Sequence, residues 1–346
     1  MAAAPDVQAW RIRVPASTAN LGPGFDVLGL GLALPMVMDV TVPAPSPGVT
    51  ITYTGDGAET ISKDPATNLI TRVAAALVAR HGRRLPPSYA LAITNRIPMS
   101  RGLGSSGTAV VAGVLLGNTL GDLGLTPAQL LDFAVLIEGH PDNVAASYRG
   151  GFVASYLRWA IPAFDRIEDL ATLDYPSEPL ATVMPLPWSE DVAVVAVVPD
   201  FELETEKARA ALPAQYAKRD VVANLQRLTV MTHALGQRPV DATTVSESMR
   251  DCLHQPYRQA LVPGMAEILA LTPQTCPGLL GVCMSGAGPT MLALRELQGF
   301  VVHGRCRCRC RCVGGVGDGR GSRVGVPAAT DPYVCAARAD PGVCGV

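Results

Sequence analysis

The sequence predicts an α+β chain that is divided into two domains. Its 346 residues are enough for two domains sharing a cleft, and a hydrophobic fraction of 48% allows a sizeable core. Segments with strand and helix patterns alternate without a run of βαβ units. No GxGxxG motif follows the first predicted strand, which argues against a Rossmann fold.

The first half of the chain contains five predicted strands and two helices with recognisable ends. The strands are expected at 8–17, 27–34, 36–42, 89–97 and 150–159. Helical spacing of apolar residues predicts a helix over 68–82, with Gly82 as a C-terminal cap. A second helix is expected to begin after Thr126, with Pro127 in its first position and Gln129 completing a capping box, and to run to about Glu138.

The second half begins after a loosely patterned, proline-rich segment at 162–187, which we interpret as an inter-domain crossing. A buried strand is predicted at 191–199, and a short helix is predicted to begin at or near Thr205. Further helices over 243–272 are expected to be broken by Pro256 and Pro263. Residues 278–294 predict a strand, a glycine turn and another strand.

Charge and cysteine content exclude several classes of protein. There are 28 basic and 30 acidic residues, so a formal net charge of −2 gives no sign of electrostatic binding to nucleic acid or to an anionic membrane. We find no signal peptide and no apolar stretch of about 18 residues, so a cytoplasmic protein is expected. Only Cys252, Cys276 and Cys283 occur in the first 300 residues, as expected of a reduced protein.

A glycine-rich loop at 102–107 leads directly into a long apolar segment. The free N–H groups at a helix N-terminus bind phosphate, and glycines allow close approach of the ligand. Ser105 and Ser106 add hydroxyls that phosphate or a metal ion can use. The loop lacks the Lys that follows the last glycine of a P-loop, and a plain strand-to-helix turn explains such a motif equally well when it stands alone.

Two further loops occur with it in an order that matches a known family. The segment PMSRGLGSS at 98–106 resembles the P-x-x-x-G-L-G-S-S signature of the GHMP kinases. The segments PASTANLGPGFDVLGLGL at 15–32 and MSGAGPTMLAL at 284–294 are similar to the first and third motifs of that family. One departure is Gly107, where the family usually has Ala, at a cost of about 1 kcal/mol in helix propensity.

The resemblance implies a two-domain fold and an ATP-dependent kinase. Its domains would be a ribosomal protein S5 domain 2-like unit over 8–160 and a ferredoxin-like unit over 161–298. Segments at 138–152, 203–213 and 253–264 resemble the branch of the family that phosphorylates the hydroxyl of L-homoserine in threonine synthesis. Members are commonly homodimers. A mevalonate-pathway type of kinase and a non-catalytic nucleotide sensor are the alternatives.

The resemblance also implies roles for individual residues. Mg²⁺ is expected on Ser106 and Glu138, because it prefers oxygen ligands. Arg209 and Arg258 are expected to bind the substrate carboxylate. The other predicted substrate contacts are Asn20, Asp26, His140 and Thr205. The predicted ATP contacts are Asn68, Pro98, Met99, Ser100, Arg101, Gly102, Leu103, Gly104, Ser105, Ser106, Gly107, Gly286 and Gly288.

Asn143 is the predicted partner of the hydroxyl that is phosphorylated. An amide cannot act as a base, so Asn143 is expected to orient the hydroxyl while the proton leaves late, to phosphate. Asn143, Glu138 and Ser106 form the predicted catalytic set. Asp142 is expected to cap the helix that follows.

The segment 299–346 differs in character from the rest of the chain. In it Cys306, Cys308, Cys310 and Cys312 alternate with Arg, and no helical or strand pattern is recognised. Thiolates bind zinc or copper, but the spacing is not that of structural zinc sites. Its Arg, Gly, Cys, Val, Ala and Pro bias favours a frame-shifted or disordered tail that lacks the helix and strand expected to complete the second domain.

Overall fold

A computed structural model describes residues 7–174, 178–297, 310–313 and 333–336 of the chain. Its strands, numbered β1 to β11 in chain order, are Gln8–Ala19, Leu28–Val42, Val49–Gly55, Tyr89–Asn95, Phe152–Leu157, Ala181–Leu186, Val192–Pro199, Leu279–Met284, Met291–Glu296, Cys310–Val313 and Tyr333–Ala336. Its α-helices, numbered α1 to α9, are Leu69–Arg80, Ser105–Leu120, Pro127–Glu138, Pro141–Arg149, Thr205–Ala210, Lys218–Ala234, Ala242–Ser248, Gln255–Arg258 and Met265–Leu269. Short 3₁₀ turns lie at Ile167–Ala171 and Gln259–Leu261.

The strands form two separate sheets, which confirms the predicted α+β class. In the larger sheet β1 pairs with β2 along most of the length of β2. Strand β4 pairs with the second half of β2, at 36–41, and β5 pairs with its first three residues, at 28–30. Strands β3 and β4 run parallel, whereas the other pairs in this sheet are antiparallel. The smaller sheet is antiparallel in the order β10-β7-β9-β8.

Helices α1 to α4 pack together, and of these α2 and α4 contact β1, and α4 also contacts β2. Helix α2 lies between α1, α3, α4 and β1, and this position explains why its sequence is apolar on every side. On the smaller sheet, α7 and α9 contact β8, and α6 packs against α7. No helix in the described part of the chain is both long and apolar enough to traverse a bilayer.

The predicted helix ends are confirmed by the cap geometry. Helix α3 has the expected capping box between Thr126 and Gln129, with Pro127 at its start and Glu138 as its last residue. Gly82 lies two residues beyond Arg80, the last residue of α1, and directly after the C-cap His81; its φ of +67° is the left-handed conformation that glycine adopts without a steric penalty.

Several elements differ from the predicted ones. The strands expected at 27–34 and 36–42 are one strand, β2, because Pro35 lies opposite Pro15 where the β1–β2 register shifts. A shift in register tolerates prolines, which cannot donate a ladder hydrogen bond. Pro256 lies within the first turn of α8 instead of breaking a helix. Strand β6 pairs with β5 and so extends the larger sheet to residue 186, past the predicted domain boundary at 160.

The segment 299–346 was expected to contain no strand, yet it contributes two. Residues Cys310–Val313 pair with β7 at an edge of the smaller sheet, and Tyr333–Ala336 pair with β1 at an edge of the larger one. The alternation of Cys with Arg at 310–312 has the period of two that a strand needs, and both partner strands offer free backbone groups along one edge. The rest of the Cys/Arg repeat, with Cys306 and Cys308, lies outside the described residues.

Candidate active site

The glycine-rich loop takes the form predicted for a phosphate cradle. Gly102 and Gly104 have φ of +76° and +67°, and α2 begins at the next residue, Ser105. Gly104 occupies the N-cap position, where it has no side chain to satisfy the first N–H groups of the helix. A Cβ atom on Gly104 would overlap Ser17 Oγ, and one on Gly102 would overlap the carbonyl oxygen of Ser285. The N-terminus of α2 is therefore open to an anion.

The three predicted loops meet at this point. Ser285 Oγ lies 2.7 Å from Thr18 Oγ1 and 2.5 Å from the carbonyl oxygen of Gly102. Asn20 Nδ2 donates to the carbonyl oxygen of Gly286 at 2.9 Å, while Asn20 Oδ1 accepts from the N–H of Asp26 at 2.8 Å. The end of β1 thus connects the phosphate loop with the turn between β8 and β9. Because Asn20 uses its amide within the protein, its contact with a substrate ammonium stays a prediction.

A cavity of about 460 Å³ extends from this junction. The predicted site residues that line it are Asn20, Asn68, Met99, Ser100, Arg101, Gly102, Gly104, Ser105, Ser106, Glu138, His140, Asn143, Thr205, Arg209, Arg258 and Gly286. The predicted residues that do not line it are Asp26, Pro98, Leu103, Gly107 and Gly288. The structure therefore brings most of the predicted site together although its members come from distant parts of the chain.

The cavity has an apolar wall that the sequence analysis missed. It includes Tyr53, Ile61, Leu69 and Ile97, which no local motif connects. Asn68 borders this wall, but its side chain caps α1 by accepting from the N–H groups of Ile70 and Thr71. Asn68 Nδ2 donates to Tyr53 Oη at 3.0 Å and to the carbonyl oxygen of Ser62 at 2.8 Å. An adenine contact by this amide would have to replace one of these hydrogen bonds.

Ser106 and Glu138 lie together, as the predicted magnesium site requires. Ser106 Oγ donates to Glu138 Oε2 at 3.2 Å. Burial raises the pKa of Glu138 above its usual value of 4.5, despite the opposing effects of His140 and of the Ser106 hydrogen bond. Among the described residues Glu138 forms no ion pair. A half-buried carboxylate beside a hydroxyl and without a cationic partner suits a divalent cation.

His140, Asp142 and Asn143 form a hydrogen-bonded cluster at the start of α4. His140 Nδ1 lies 2.5 Å from Asp142 Oδ1, which also accepts from the N–H of Asn143 at 2.7 Å. Burial lowers the pKa of His140, but the hydrogen bond and charge of Asp142, together with the charge of Glu138, raise it above 6.5. The N-cap position belongs to His140, so the expectation that Asp142 caps α4 is wrong. Asp142 is instead the second residue of the helix and accepts the N–H of Asn143 from inside the first turn.

Asp26 forms a bidentate ion pair with Arg209, which lines the cavity. Arg209 Nη1 and Nη2 donate to the two carboxylate oxygens of Asp26 at 3.2 and 3.0 Å. About a third of each side chain is exposed, so the pair can exchange its partners for those of a ligand. Asp26 is held with φ +53°, a left-handed conformation that is uncommon outside glycine and typical of functional positions.

Arg258 is buried, with a relative exposure of only 1%. Its guanidinium donates to the carbonyl oxygens of Ala208 at 3.1 Å and Gly286 at 3.2 Å. Within the described residues it forms no ion pair with a carboxylate. Burial, and then the charge of Arg209, lower the pKa of Arg258, although an Arg remains cationic at neutral pH. An anionic ligand would compensate this charge.

Phe25 and His254 support Arg258 and were missed by the sequence analysis. Phe25 stacks on His254 with ring centroids 5.4 Å apart, and the Arg258 guanidinium lies 5.1 Å from the Phe25 centroid. His254 is completely buried and its Nε2 lies 2.9 Å from the carbonyl oxygen of Gly22. The sequence signal that could have identified His254 is its position four residues before Arg258, because residues at that spacing share a helix face.

Comparisons with known proteins agree with this geometry. The family profile described as GHMP kinases N terminal domain matches residues 68–151. The homoserine kinase of Schizosaccharomyces pombe is 46% identical over 298 residues, covering 83% of this chain and 88% of that protein. The homoserine kinase of Saccharomyces cerevisiae is 42% identical over 316 residues, with the same coverage. The crystal structure of homoserine kinase from Cytophaga hutchinsonii gives a TM-score of 0.66 at 28% identity, covering 86% of this chain and 88% of that one.

Two sheets, with a glycine-rich loop that starts a helix beside a cleft and lacks the Lys of a P-loop, agree with a class of small-molecule kinase that differs from the P-loop enzymes. The chain belongs to the GHMP kinase family. The relatives that it matches over most of their length are homoserine kinases, which agrees with the resemblance found in the three loop motifs.

Proposed function

We propose that this protein is a homoserine kinase, which transfers the γ-phosphoryl group of ATP to the hydroxyl of L-homoserine and releases ADP and O-phospho-L-homoserine. The observation that carries the proposal is that one cavity is lined by the N-terminus of α2, which is suited to phosphate, and by both Arg209 and Arg258. The curated relatives with 46% and 42% identity support the same substrate.

The amino-acid end of the substrate would bind at Arg258, Arg209 and Asp26. The carboxylate would meet Arg258, whose buried charge has no carboxylate partner in the described part of the chain, together with Arg209. The ammonium group would take the place of the Arg209 guanidinium on Asp26. A zwitterion can exchange with this ion pair without leaving an unpaired charge, whereas a plain hydroxy acid cannot. Thr205, at the start of α5, lines the same cavity and is a lesser proposed contact.

ATP would lie along the cavity with its base at the apolar wall and its phosphates at Gly102 to Ser106. The wall of Tyr53, Ile61, Leu69 and Ile97 offers the apolar surface that an adenine ring needs. Because the loop has no Lys, the N–H groups at the start of α2 supply the positive potential for the phosphates.

Mg²⁺ is the proposed cation, with Ser106 and Glu138 as its protein ligands. No group of three or more His, Cys, Asp or Glu side chains forms a metal site in the described ranges. Two protein oxygens suit Mg²⁺, which commonly takes one or two side-chain ligands and fills its shell with phosphate oxygens and water. When bound, the ion would neutralise phosphate charge.

Asn143 and the cluster around it would orient the reacting hydroxyl. Asn143 lines the cavity beside the phosphate loop, and its amide can hydrogen-bond the hydroxyl but cannot remove a proton from it. The proton would pass late to the transferred phosphoryl group, as a loose transition state permits. The main contribution of the protein to the reaction is therefore to hold the hydroxyl and the phosphoryl group in a reactive orientation and to exclude unreactive ones.

The decisive experiment is an ADP-release assay of the full chain with ATP, Mg²⁺ and L-homoserine, with the product identified by ³¹P NMR. We expect ADP release to depend on homoserine and not to occur with mevalonate. Homoserine-independent ADP release, or none with any amino-acid alcohol, would overturn the proposal. The Glu138→Gln variant should require more Mg²⁺ for half-maximal activity, whereas the exposed Glu59→Gln control should not.

Cytoplasmic location and a homodimeric state are further proposals, made from the resemblance to the family. Sedimentation velocity of the full chain tests the homodimeric state. A single species at the mass of one 36.1 kDa chain would contradict it.

A further inference from the structure

The amide of Asn143 is held from two sides. Ser17 Oγ donates to Asn143 Oδ1 at 3.0 Å, across 126 residues of sequence. On the other side, Asn143 Nδ2 lies 3.4 Å from Asp142 Oδ1, and the backbone N–H of Asn143 donates to the same oxygen at 2.7 Å. The side chain that we expect to meet the substrate hydroxyl is therefore oriented by groups outside the predicted site.

Only one orientation of the amide fits these neighbours. Exchanging the oxygen and nitrogen of Asn143 would place its carbonyl oxygen beside the Asp142 carboxylate, where two acceptors would repel each other. With the observed orientation the oxygen is occupied by Ser17, and one N–H of the amide remains for a ligand in the cavity that Asn143 lines. The amide thus offers the cavity a donor.

Ser17 is itself fixed by the phosphate loop. It is completely buried in β1, and its backbone N–H donates to the carbonyl oxygen of Leu103 at 3.3 Å. A Cβ atom on Gly104 would overlap Ser17 Oγ, so the glycine at the start of α2 leaves room for this hydroxyl. Ser17 therefore connects the position of the phosphates with the orientation of Asn143.

We propose that Ser17 is a positioning residue for phosphoryl transfer, which holds the Asn143 amide with an N–H directed to the oxygen of the substrate hydroxyl. The inference rests on the proposed function, in which Asn143 meets that hydroxyl. Ser17 acts through Asn143 and does not touch the substrate. Its loss should affect the rate of transfer more than the binding of either substrate.

A double-mutant cycle tests the inference. Ser17→Ala should lower kcat about ten-fold, as expected for one lost positioning hydrogen bond, with both KM values within about three-fold of the wild type. In an Asn143→Ala background the same change should alter the single-turnover rate less than about two-fold, because the hydroxyl then has no amide to hold. Additive losses, or an unchanged kcat in Ser17→Ala, would overturn the proposal.

Ser147→Ala is the matched control. Ser147 is buried on α4, the helix of Asn143, and its hydroxyl is without a hydrogen-bond partner among the described residues. Removing that hydroxyl should leave kcat within about two-fold of the wild type, because no hydrogen bond is lost. A loss in Ser147→Ala as large as that in Ser17→Ala would show that the effect comes from general disturbance of the core, and would contradict the proposal.

A spectroscopic measurement separates this inference from the proposed function. The side-chain amide signals of Asn143, identified by their absence in Asn143→Ala, should shift or broaden in Ser17→Ala and stay unchanged in Ser147→Ala. Unchanged signals in Ser17→Ala would overturn the positioning role whatever the substrate is. If the wild type lacks activity with homoserine but the signals shift, the substrate assignment fails and the positioning of the amide stands.

Discussion

At the scale of single residues, the site contains side chains whose charge or conformation the free protein does not compensate. Arg258 is buried with no ion pair in the described structure, Glu138 is a half-buried carboxylate whose pKa burial raises, and Asn20 and Asp26 have positive φ. Each feature is unfavourable in isolation, with positive φ costing on the order of 1 to 3 kcal/mol. A ligand that pairs the charges of Arg258 and Glu138 would offset part of the cost of their burial.

Arg258→Met should raise the KM for homoserine on the order of 100-fold, because a charge-assisted pair with the substrate carboxylate is lost while the volume is largely kept. Steady-state kinetics with varied homoserine at saturating ATP measures the change. Arg219→Met, on the exposed surface of α6, is the control and should leave KM as it is. An unaltered KM in Arg258→Met would show that Arg258 does not bind the carboxylate.

Asn143→Ala should lower kcat by roughly 100-fold and leave ATP affinity intact, because the amide orients the hydroxyl and does not touch the nucleotide. Isothermal titration with a non-hydrolysable ATP analogue measures the affinity, and quench-flow measures the rate. If kcat were unchanged, the role proposed for Asn143 would be wrong.

At the scale of elements, the junction between the phosphate loop and α2 depends on two glycines with different reasons for their presence. Gly104 has φ +67° and faces Ser17 Oγ, so any side chain is excluded. Gly107 lies inside α2, and a Cβ there would lie 3.4 Å from Asn143 Cβ and 3.5 Å from Val144 Cγ1, which are ordinary contacts. The departure from the family pattern at Gly107 is therefore a matter of helix propensity alone.

Gly107→Ala should stabilise the protein by about 0.5–1 kcal/mol, the difference in helix propensity, with kcat within about two-fold of the wild type. Gly104→Ala, three residues earlier, should destabilise it by more than about 2 kcal/mol and abolish activity, since backbone strain and steric overlap act together. Urea unfolding of the two variants measures both effects. Equal behaviour of the two variants would contradict this distinction.

At the scale of the whole molecule, two sheets place the site at their junction. The end of β1 contributes Ser17 and Asn20 from the larger sheet, while the turn between β8 and β9 brings Ser285 and Gly286 from the smaller one. Hydrogen bonds across this junction are buried, so they fix the relative position of the loops firmly. The cavity that results is a property of both sheets together.

Burial in the smaller sheet also protects Cys283. Its thiol lies in β8, and burial raises its pKa to about 12, so the reactive thiolate is nearly absent at pH 8. Iodoacetamide at pH 8 should therefore modify the partly exposed Cys252 and Cys276 in the native protein but modify Cys283 only after unfolding. Peptide mass spectrometry resolves the sites, and rapid labelling of native Cys283 would contradict the described packing.

The segment 299–346 raises a separate question at this scale. A frame-shifted origin stays a prediction, and resequencing the gene tests it. An uninterrupted, verified reading frame would rule that origin out. In that case the strands at 310–313 and 333–336 would be genuine additions to the two sheets.

Sequence patterns located the helices and strands whose ends or buried faces are set by residues close together in the chain. The capping box at Thr126 fixed the start of α3 because its hydrogen bonds connect residues only three apart. The patterns missed α6, whose apolar residues are divided between buried positions such as Met231 and exposed ones such as Leu225 and Val230. They also missed β3, whose pairing with β4 is parallel and non-local.

The sequence by itself determined the class of the protein. Glycine positions, capping residues and the order of three loop motifs depend on short-range chemistry, which leaves its mark in consecutive residues. Only the tertiary structure decided which side chains act together: Ser17 on Asn143, Asp26 on Arg209, and the apolar wall of Tyr53 and Ile97. These contacts join residues far apart in the chain. Their geometry follows from how the sheets and helices pack, and no single segment of the sequence contains that information.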